Sequence, residues 1–228
     1  MSLRMRVTSV LTAAAVAVAF VVFVVVHFLL PVPPTVVFTA DRLPSRAVNM
    51  TIQIDGINDS SSTPDWVSYF VRSPHGTKWI HSTIWQLPAH TRVNVTAYEF
   101  DTCDPLRNNY WGHVTGTTGG VMYVNGRRES VVNSDTTCSV AHTFTVPQLG
   151  INIPFDGVPY TAKNQCGPGQ APCSLSLAHQ VVKFSFMTHG PGEYRWQCFI
   201  PCGLASVDGN GHAMGTLGFM SGFLNVVA

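Results

Sequence analysis

The chain has 228 residues, a formal net charge of +1, 46% hydrophobic residues and only 11% charged ones. That length suits one domain of moderate size with an appendage, and the charge fraction, well below the usual quarter, fits a chain that gives part of its length to a membrane segment. The near-neutral balance and the lack of a basic stripe give no electrostatic argument for nucleic-acid binding. No Gly-x-Ser-x-Gly, Walker or dinucleotide loop occurs either, since GNGHAMG and TGTTGG lack the lysine and the strand-to-helix setting that a phosphate loop needs.

The first predicted element is a membrane-spanning helix. No Asp, Glu, Lys or Arg occurs from Val7 to Ala40, and Val10 to Leu30 is almost wholly apolar, which meets the requirement of about 20 residues for crossing the hydrocarbon core. Arg4 and Arg6 precede the run and Asp41 is the first charge after it, so the positive-inside rule predicts a cytoplasmic N-terminus with the main domain extracytoplasmic, on the periplasmic or cell-surface side. A cleavable signal peptide is the competing reading. It would have a shorter core and small residues at a cleavage site, whereas this run ends in Phe28-Leu29-Leu30 and then Pro31-Val32-Pro33-Pro34, a stiff juncture. His27 falls near the outer end of the span and reads as an interfacial residue. Residues 1–34 are thus assigned to the anchor and its juncture, and residues 41–228 to the extracytoplasmic domain.

After the juncture the pattern changes from helical to β. Runs rich in β-branched and aromatic residues, bounded by turn residues, predict strands at Val48–Ile54, Lys78–Gln86, Arg92–Phe100, Gly120–Val124, Ser139–Val146, Gln180–Met187, Gly192–Gln197 and Thr216–Val227. In Arg92–Phe100 the apolar Val93, Val95 and Ala97 alternate with Asn94 and Thr96, the period of a half-buried strand. Long loops are expected at Thr102–Gly119 and Pro154–Leu177. The resulting class is all-β, a sandwich or barrel.

Six cysteines follow one another through this domain. Cys166 and Cys173 flank GPGQAP and suggest a local disulfide. Cys103 and Cys138 would clip a long loop, a closure that stabilises a fold by about 3–4 kcal/mol. Cys198 and Cys202 have a different neighbourhood, YRWQCFIPCGLASVDGNGHAMGTLGFM, with His212, Met214 and Met220 following. Thiolate, imidazole and thioether together suit copper, whereas zinc rarely takes methionine. A third disulfide remains the alternative. His142, in the run SVAHTFTVPQLGINI, is the candidate for a further ligand from a distant strand, expected across the pleat from Val140, Phe144 and Val146.

Together AHTFTVPQLGINI and PGEYRWQCFIPCG resemble the cupredoxin domain of subunit II of haem-copper (cytochrome c) oxidases, in its single-span branch. The resemblance covers roughly Val140 to Val227. It implies a Greek-key β-sandwich holding the dinuclear copper centre CuA, with Cys198 and Cys202 bridging two copper ions, His142 and His212 each binding one, the carbonyl of Ile200 as a further ligand, and Met214 or Met220 as a weak one. The family's usual Glu or Gln at the Ile200 position is absent, and the Gly203–Gly211 loop is longer than the family's spacing. Three outcomes stay open: CuA, a mononuclear type 1 copper site, or a degenerate site with Cys198 and Cys202 oxidised in a structural or copper-delivery domain. The implied partners are the membrane, the oxidase large subunit and a cytochrome c or small copper protein as donor. Such a subunit admits electrons to the respiratory chain's terminal oxidase and is not catalytic alone. Trp196 and Phe199 would wrap the centre. His75, His81, His90, His179 and His189 read as surface residues, His113 as a loop residue, and Glu99, Asp101 and Asp104 as a solvated acidic edge.

Overall fold

The structure is a computed structural model, and it describes residues 3–25, 32–41, 46–58, 66–102, 105–132, 139–167, 169–202 and 212–228. The chain divides into two compact units, Met1–Val32 and Pro33–Ala228. The first contains helix α1, Leu3–Val24, of 22 residues, roughly 33 Å long at the α-helical rise. Its apolar stretch is long enough to cross a membrane, and a signal sequence meets the same description.

The second unit is built from strands. They are β1 (Thr35–Val37), β2 (Ala47–Asn58), β3 (Trp66–Arg72), β4 (Trp79–His81), β5 (Ile84–Pro88), β6 (Arg92–Glu99), β7 (Met122–Val124), β8 (Arg127–Glu129), β9 (Val140–Val146), β10 (Ile151–Asp156), β11 (Gln180–Met187), β12 (Gly192–Gln197) and β13 (Ser221–Val227). Among the described residues they form a six-stranded sheet in the order β1-β5-β13-β12-β9-β10 and a seven-stranded sheet in the order β4-β3-β2-β6-β11-β7-β8. The all-β expectation with one N-terminal apolar helix therefore holds at that level.

Several strand boundaries differ from the sequence reading. The run Lys78–Gln86 is two strands in two sheets, because Ser82 and Thr83 between them are fully buried and bond outside any ladder. Ser82 Oγ donates to the carbonyl of Pro34, and Thr83 Oγ1 accepts from Gly218 N–H at 2.7 Å. Strand β10 occupies Ile151–Asp156, where a loop was expected from Pro154, and places Pro154 opposite Thr143. Strand β3 and the short β1 and β8 carried no signal that the sequence reading used, and β1 lies ahead of Asp41, paired in parallel with β5. The β6 alternation is as expected: Val93, Val95 and Ala97 face the core.

The two sheets share one apolar core. Its centre is aromatic: Trp85 and Trp196 stack with centroids 5.0 Å apart, Tyr69 meets Trp196 edge-on at 4.8 Å, and Phe144 lies 5.2 Å from Trp196. Their polar atoms find partners, as buried Trp and Tyr require. Trp85 Nε1 donates to Ser82 O, Trp196 Nε1 to Thr83 O and Tyr69 OH to Thr143 O. This aromatic layer anchors the end of the sheet from which β12 runs into Cys198.

Candidate metal centre

Strand β12 pairs with β13 along its whole length, from Gly192↔Val226 to Gln197↔Ser221, but with β9 at a single position, Gln197↔Thr145. Past Gln197 the chain leaves the ladder, and the next bonds to β9 are made through side chains. Thr143 N–H donates to Cys198 Sγ at 3.3 Å and Phe199 N–H donates to Thr143 Oγ1 at 2.9 Å. On the other side Cys198 N–H donates to Met220 O at 2.9 Å. These bonds set the C-x3-C turn over the end of the aromatic core.

Within that turn the two sulfurs lie 3.1 Å apart and are not bonded to each other. The Ile200 carbonyl is 2.8 Å from Cys202 Sγ and 3.5 Å from Cys198 Sγ. His142 brings its Nδ1 to 3.3 Å from Cys202 Sγ and 3.8 Å from Cys198 Sγ. All three side chains are buried, and together they form a group that could hold a metal ion. The alternative of a third disulfide, between Cys198 and Cys202, is not what the structure shows, while Cys166 and Cys173 are bonded as expected. Cys103, Cys138, Asp104 and His27 lie outside the described residues.

His142 is not across the pleat from Phe144 and Val146. Side chains alternate with period two, so these three share a face, opposite the core residues Phe155, Ile153 and Ile151 of β10, whereas Val140 lies beyond a register shift and pairs with Asp156. The imidazole therefore reaches the sulfurs from the core side. Ile200, Met214 and Met220 are buried in the same cluster as Cys198 and Cys202. Met220 is tied to Cys198 by the backbone bond above and to Ala213, the neighbour of Met214, by its own N–H. His212 opens the 3-10 turn His212–Gly215, and its side chain lies outside what the structure describes.

Phe199 does wrap the turn: its ring stacks on Trp111 with centroids 4.4 Å apart and planes 12° from parallel. Trp196 lies in the core beneath it. An open recess of about 550 Å³ borders the turn, lined by Leu106, Trp111, Phe199, Ile200 and Pro201 among others. The remaining histidines are elsewhere. His75, His90, His113 and His189 are exposed, whereas His81 stacks on Phe70 and His179 packs against Tyr98 and Phe100.

Electrostatically the site holds one shared negative charge. Burial opposes ionisation of Cys198, but hydrogen bonds from Cys202 and His142 overcome it and hold the thiol well below its ordinary value. Cys202 is pushed well up by burial and by the charge of Cys198, so it keeps its proton beside the neighbouring thiolate. Burial also opposes a charged His142, yet the charge of Glu99 and hydrogen bonds to Asp101 and Cys198 raise its pKa well above the usual imidazole range. Glu99 is itself driven well up by burial. The shifts of His142 and Cys198 thus run in opposite directions, each favouring the charged form of its own group.

By charge and spacing Glu99 and Asp101 are expected at a solvated edge. Glu99 is instead fully buried and Asp101 Oδ2 lies 3.0 Å from His142 Nε2. The signal was available for Glu99, which shares its parity with Val93, Val95 and Ala97. For Asp101 and Thr143 nothing local in the sequence marks the contact, which depends on how β6 and β9 are brought together.

Asp55, on β2, is a second buried acid. Its Oδ2 accepts the Cys173 N–H at 3.1 Å while Oδ1 has no partner, and burial pushes its pKa up to about 7. A carboxyl whose pKa is higher folded than unfolded contributes stability that is fully present below the unfolded value and is lost as pH rises through the folded one. Stability should therefore fall between about pH 4 and pH 7. Asp55→Asn, whose amide oxygen can still accept the Cys173 N–H, should stabilise the fold at pH 8 by a few kcal/mol and flatten that part of the curve, as read by denaturant unfolding across pH. An unchanged slope would remove this role from Asp55.

Comparison with protein-family models and with curated proteins finds no match for this chain.

Proposed function

We propose that this chain is a membrane-anchored extracytoplasmic electron-transfer protein of cupredoxin type, in which Cys198, Cys202 and His142 hold a dinuclear copper centre of the CuA kind. The observation that carries the reading is the approach of two unbonded buried sulfurs to one another and to a single imidazole nitrogen, with the Ile200 carbonyl beside both. Two soft sulfurs and an imidazole form a donor set suited to copper. The disulfide Cys166–Cys173 supports an oxidising compartment. There, two adjacent thiols left unbonded are most simply explained as ligands.

Bound in that position, a dinuclear copper group would take up and release one electron. The residues around it would bind it, orient it and keep water away. Thr143 N–H and Ile200 N–H both point at Cys198 Sγ and disperse its charge. Tyr69, Trp85 and Trp196 form a rigid floor, which keeps the sulfurs from rearranging between oxidation states. Met214 and Met220 are the candidates for a weak thioether ligand, and His212 for a second imidazole. The anchor would hold the domain at the outer membrane surface, where it would act as a subunit II-like entry module. Electrons would come from a soluble cytochrome c or small copper protein and leave for the haem of a large membrane subunit of an oxidase.

Electron paramagnetic resonance of the copper-loaded chain in detergent tests the reading. A seven-line hyperfine pattern is expected. A four-line pattern with narrow splitting would replace the dinuclear centre with a mononuclear type 1 carrier. No signal, together with no free thiols, would overturn the electron-transfer role in favour of a structural domain.

A further inference from the structure

His142 can serve the sulfurs through Nδ1 only if the proton of its ring stays on Nε2, and the structure shows what keeps it there. Nε2 faces Asp101 Oδ2 at 3.0 Å, and Asp101 is tied through its N–H, its carbonyl and its other carboxylate oxygen. Its N–H donates to Glu99 Oε1 at 2.9 Å, its carbonyl accepts Val158 N–H at 2.9 Å, and its Oδ1 accepts Thr102 N–H at 2.8 Å. Oδ1 is thus occupied by a backbone donor, and Oδ2 is the oxygen left to face the imidazole. Strand β2 makes room for this group: its pairing with β3 shifts between Asp55 and Ile57, and Gly56 lies at that bulge. A Cβ added to Gly56 would come within 3.2 Å of Asp101 Oδ1. A glycine inside a strand commonly marks such a close approach.

We propose that Asp101 is the positioning residue of the centre, fixing the His142 tautomer with Nδ1 turned to Cys198 and Cys202, and that the Gly56 bulge is the clearance that lets it do so. The consequence for copper rests on the function proposed above, whereas the tautomer claim does not need metal. The geometry makes Asp101→Asn informative beyond the loss of a charge. An amide has one acceptor oxygen. With that oxygen kept on Thr102 N–H, its NH2 faces Nε2, which can then only accept, and the ring proton moves to Nδ1. The donor to metal would be blocked in a side chain of nearly unchanged size.

The test uses the full chain in detergent, labelled with nitrogen-15 at histidine. In the metal-free wild type, Nε2 of His142 should be protonated and its proton slow to exchange, whether or not Nδ1 also carries one. In Asp101→Asn, Nε2 should lose its proton and Nδ1 hold one, and copper(I) affinity from chelator competition should fall by about 10- to 100-fold, the range for a lost partner of a metal-bound histidine. Gly56→Ala keeps every polar atom and should give the same signs more weakly, with faster exchange of the Nε2 proton and a several-fold loss of affinity. Nε2 still protonated in folded Asp101→Asn would overturn the proposal. Should that variant not fold, unchanged Nε2 exchange and copper(I) affinity in Gly56→Ala would do so. A wild type that binds no copper(I) would refute the copper function, while the metal-free spectra would still decide the role of Asp101.

Discussion

Cys202→Ser is expected to remove the copper spectrum and to lower copper(I) affinity by well over about 100-fold, beyond the range seen when only a ligand's supporting partner is lost. The sulfur lies 3.1 Å from Cys198 Sγ and 3.3 Å from His142 Nδ1, so it is central to the group and cannot be bypassed by the other two members. A hydroxyl is a hard, feebly acidic donor and does not replace a thiolate toward copper. The substitution should nevertheless leave the fold intact, because the serine hydroxyl can donate to the Ile200 carbonyl that Cys202 Sγ now faces at 2.8 Å. His142→Ala should abolish the same spectrum at a higher cost in stability, since it leaves a cavity at the core face and strips Asp101 Oδ2 of its donor. Absorption and paramagnetic spectra of the copper-loaded variants, with circular dichroism for the fold, decide the matter. Full colour and an unchanged spectrum in either variant would show that the ligands lie elsewhere.

The largest effect on stability is expected at Gly222 in β13. A Cβ placed there would lie 1.8 Å from the Thr83 carbonyl oxygen and 2.6 Å from its carbon, both backbone atoms that cannot turn aside. The same carbonyl accepts Phe223 N–H at 3.0 Å and Trp196 Nε1–H at 3.1 Å. Moving it would break two buried bonds and lift β5 from β13 at the floor of the metal group. Gly222→Ala should therefore exceed the usual spread for single substitutions and cost about 4 kcal/mol or more, a fall in Tm of about 10–15 °C for a domain of this size. Gly190→Ala is the control. It meets nothing within 4 Å and should change stability by no more than about 0.5 kcal/mol. A Gly222→Ala chain that melts with the wild type would show that β5 and β13 are not packed as closely as described.

The all-β class and several strands were legible because period-two alternation is a local property of the chain, as β6 shows. The division of Lys78–Gln86 between two sheets was not, because it follows from the distant partners of Ser82 and Thr83 rather than from their own propensities. Likewise the grouping of Cys198 and Cys202 could be read from their spacing and their neighbours, and His142 from the phrase around it. Parity alone places it on the face of Phe144 and Val146, whereas the register shift that separates it from Val140 is set by the pairing with β10 and has no local mark. Asp101 and Glu99 were read by charge and sequence distance as a wet edge. The fold instead buries one and pins the other to the imidazole, which no pattern within β6 announces beyond the parity of Glu99.

The recess beside the C-x3-C turn bears on how an ion would get in and out. Beneath the sulfurs lie Trp196, Tyr69 and the β9 backbone, a wall closed to traffic, whereas Phe199, Ile200 and Pro201 border open space. Among the described residues, that opening is the side from which an ion could approach the turn. Bulk placed at Leu106 would slow the arrival and the departure of copper together and leave the final affinity where it was.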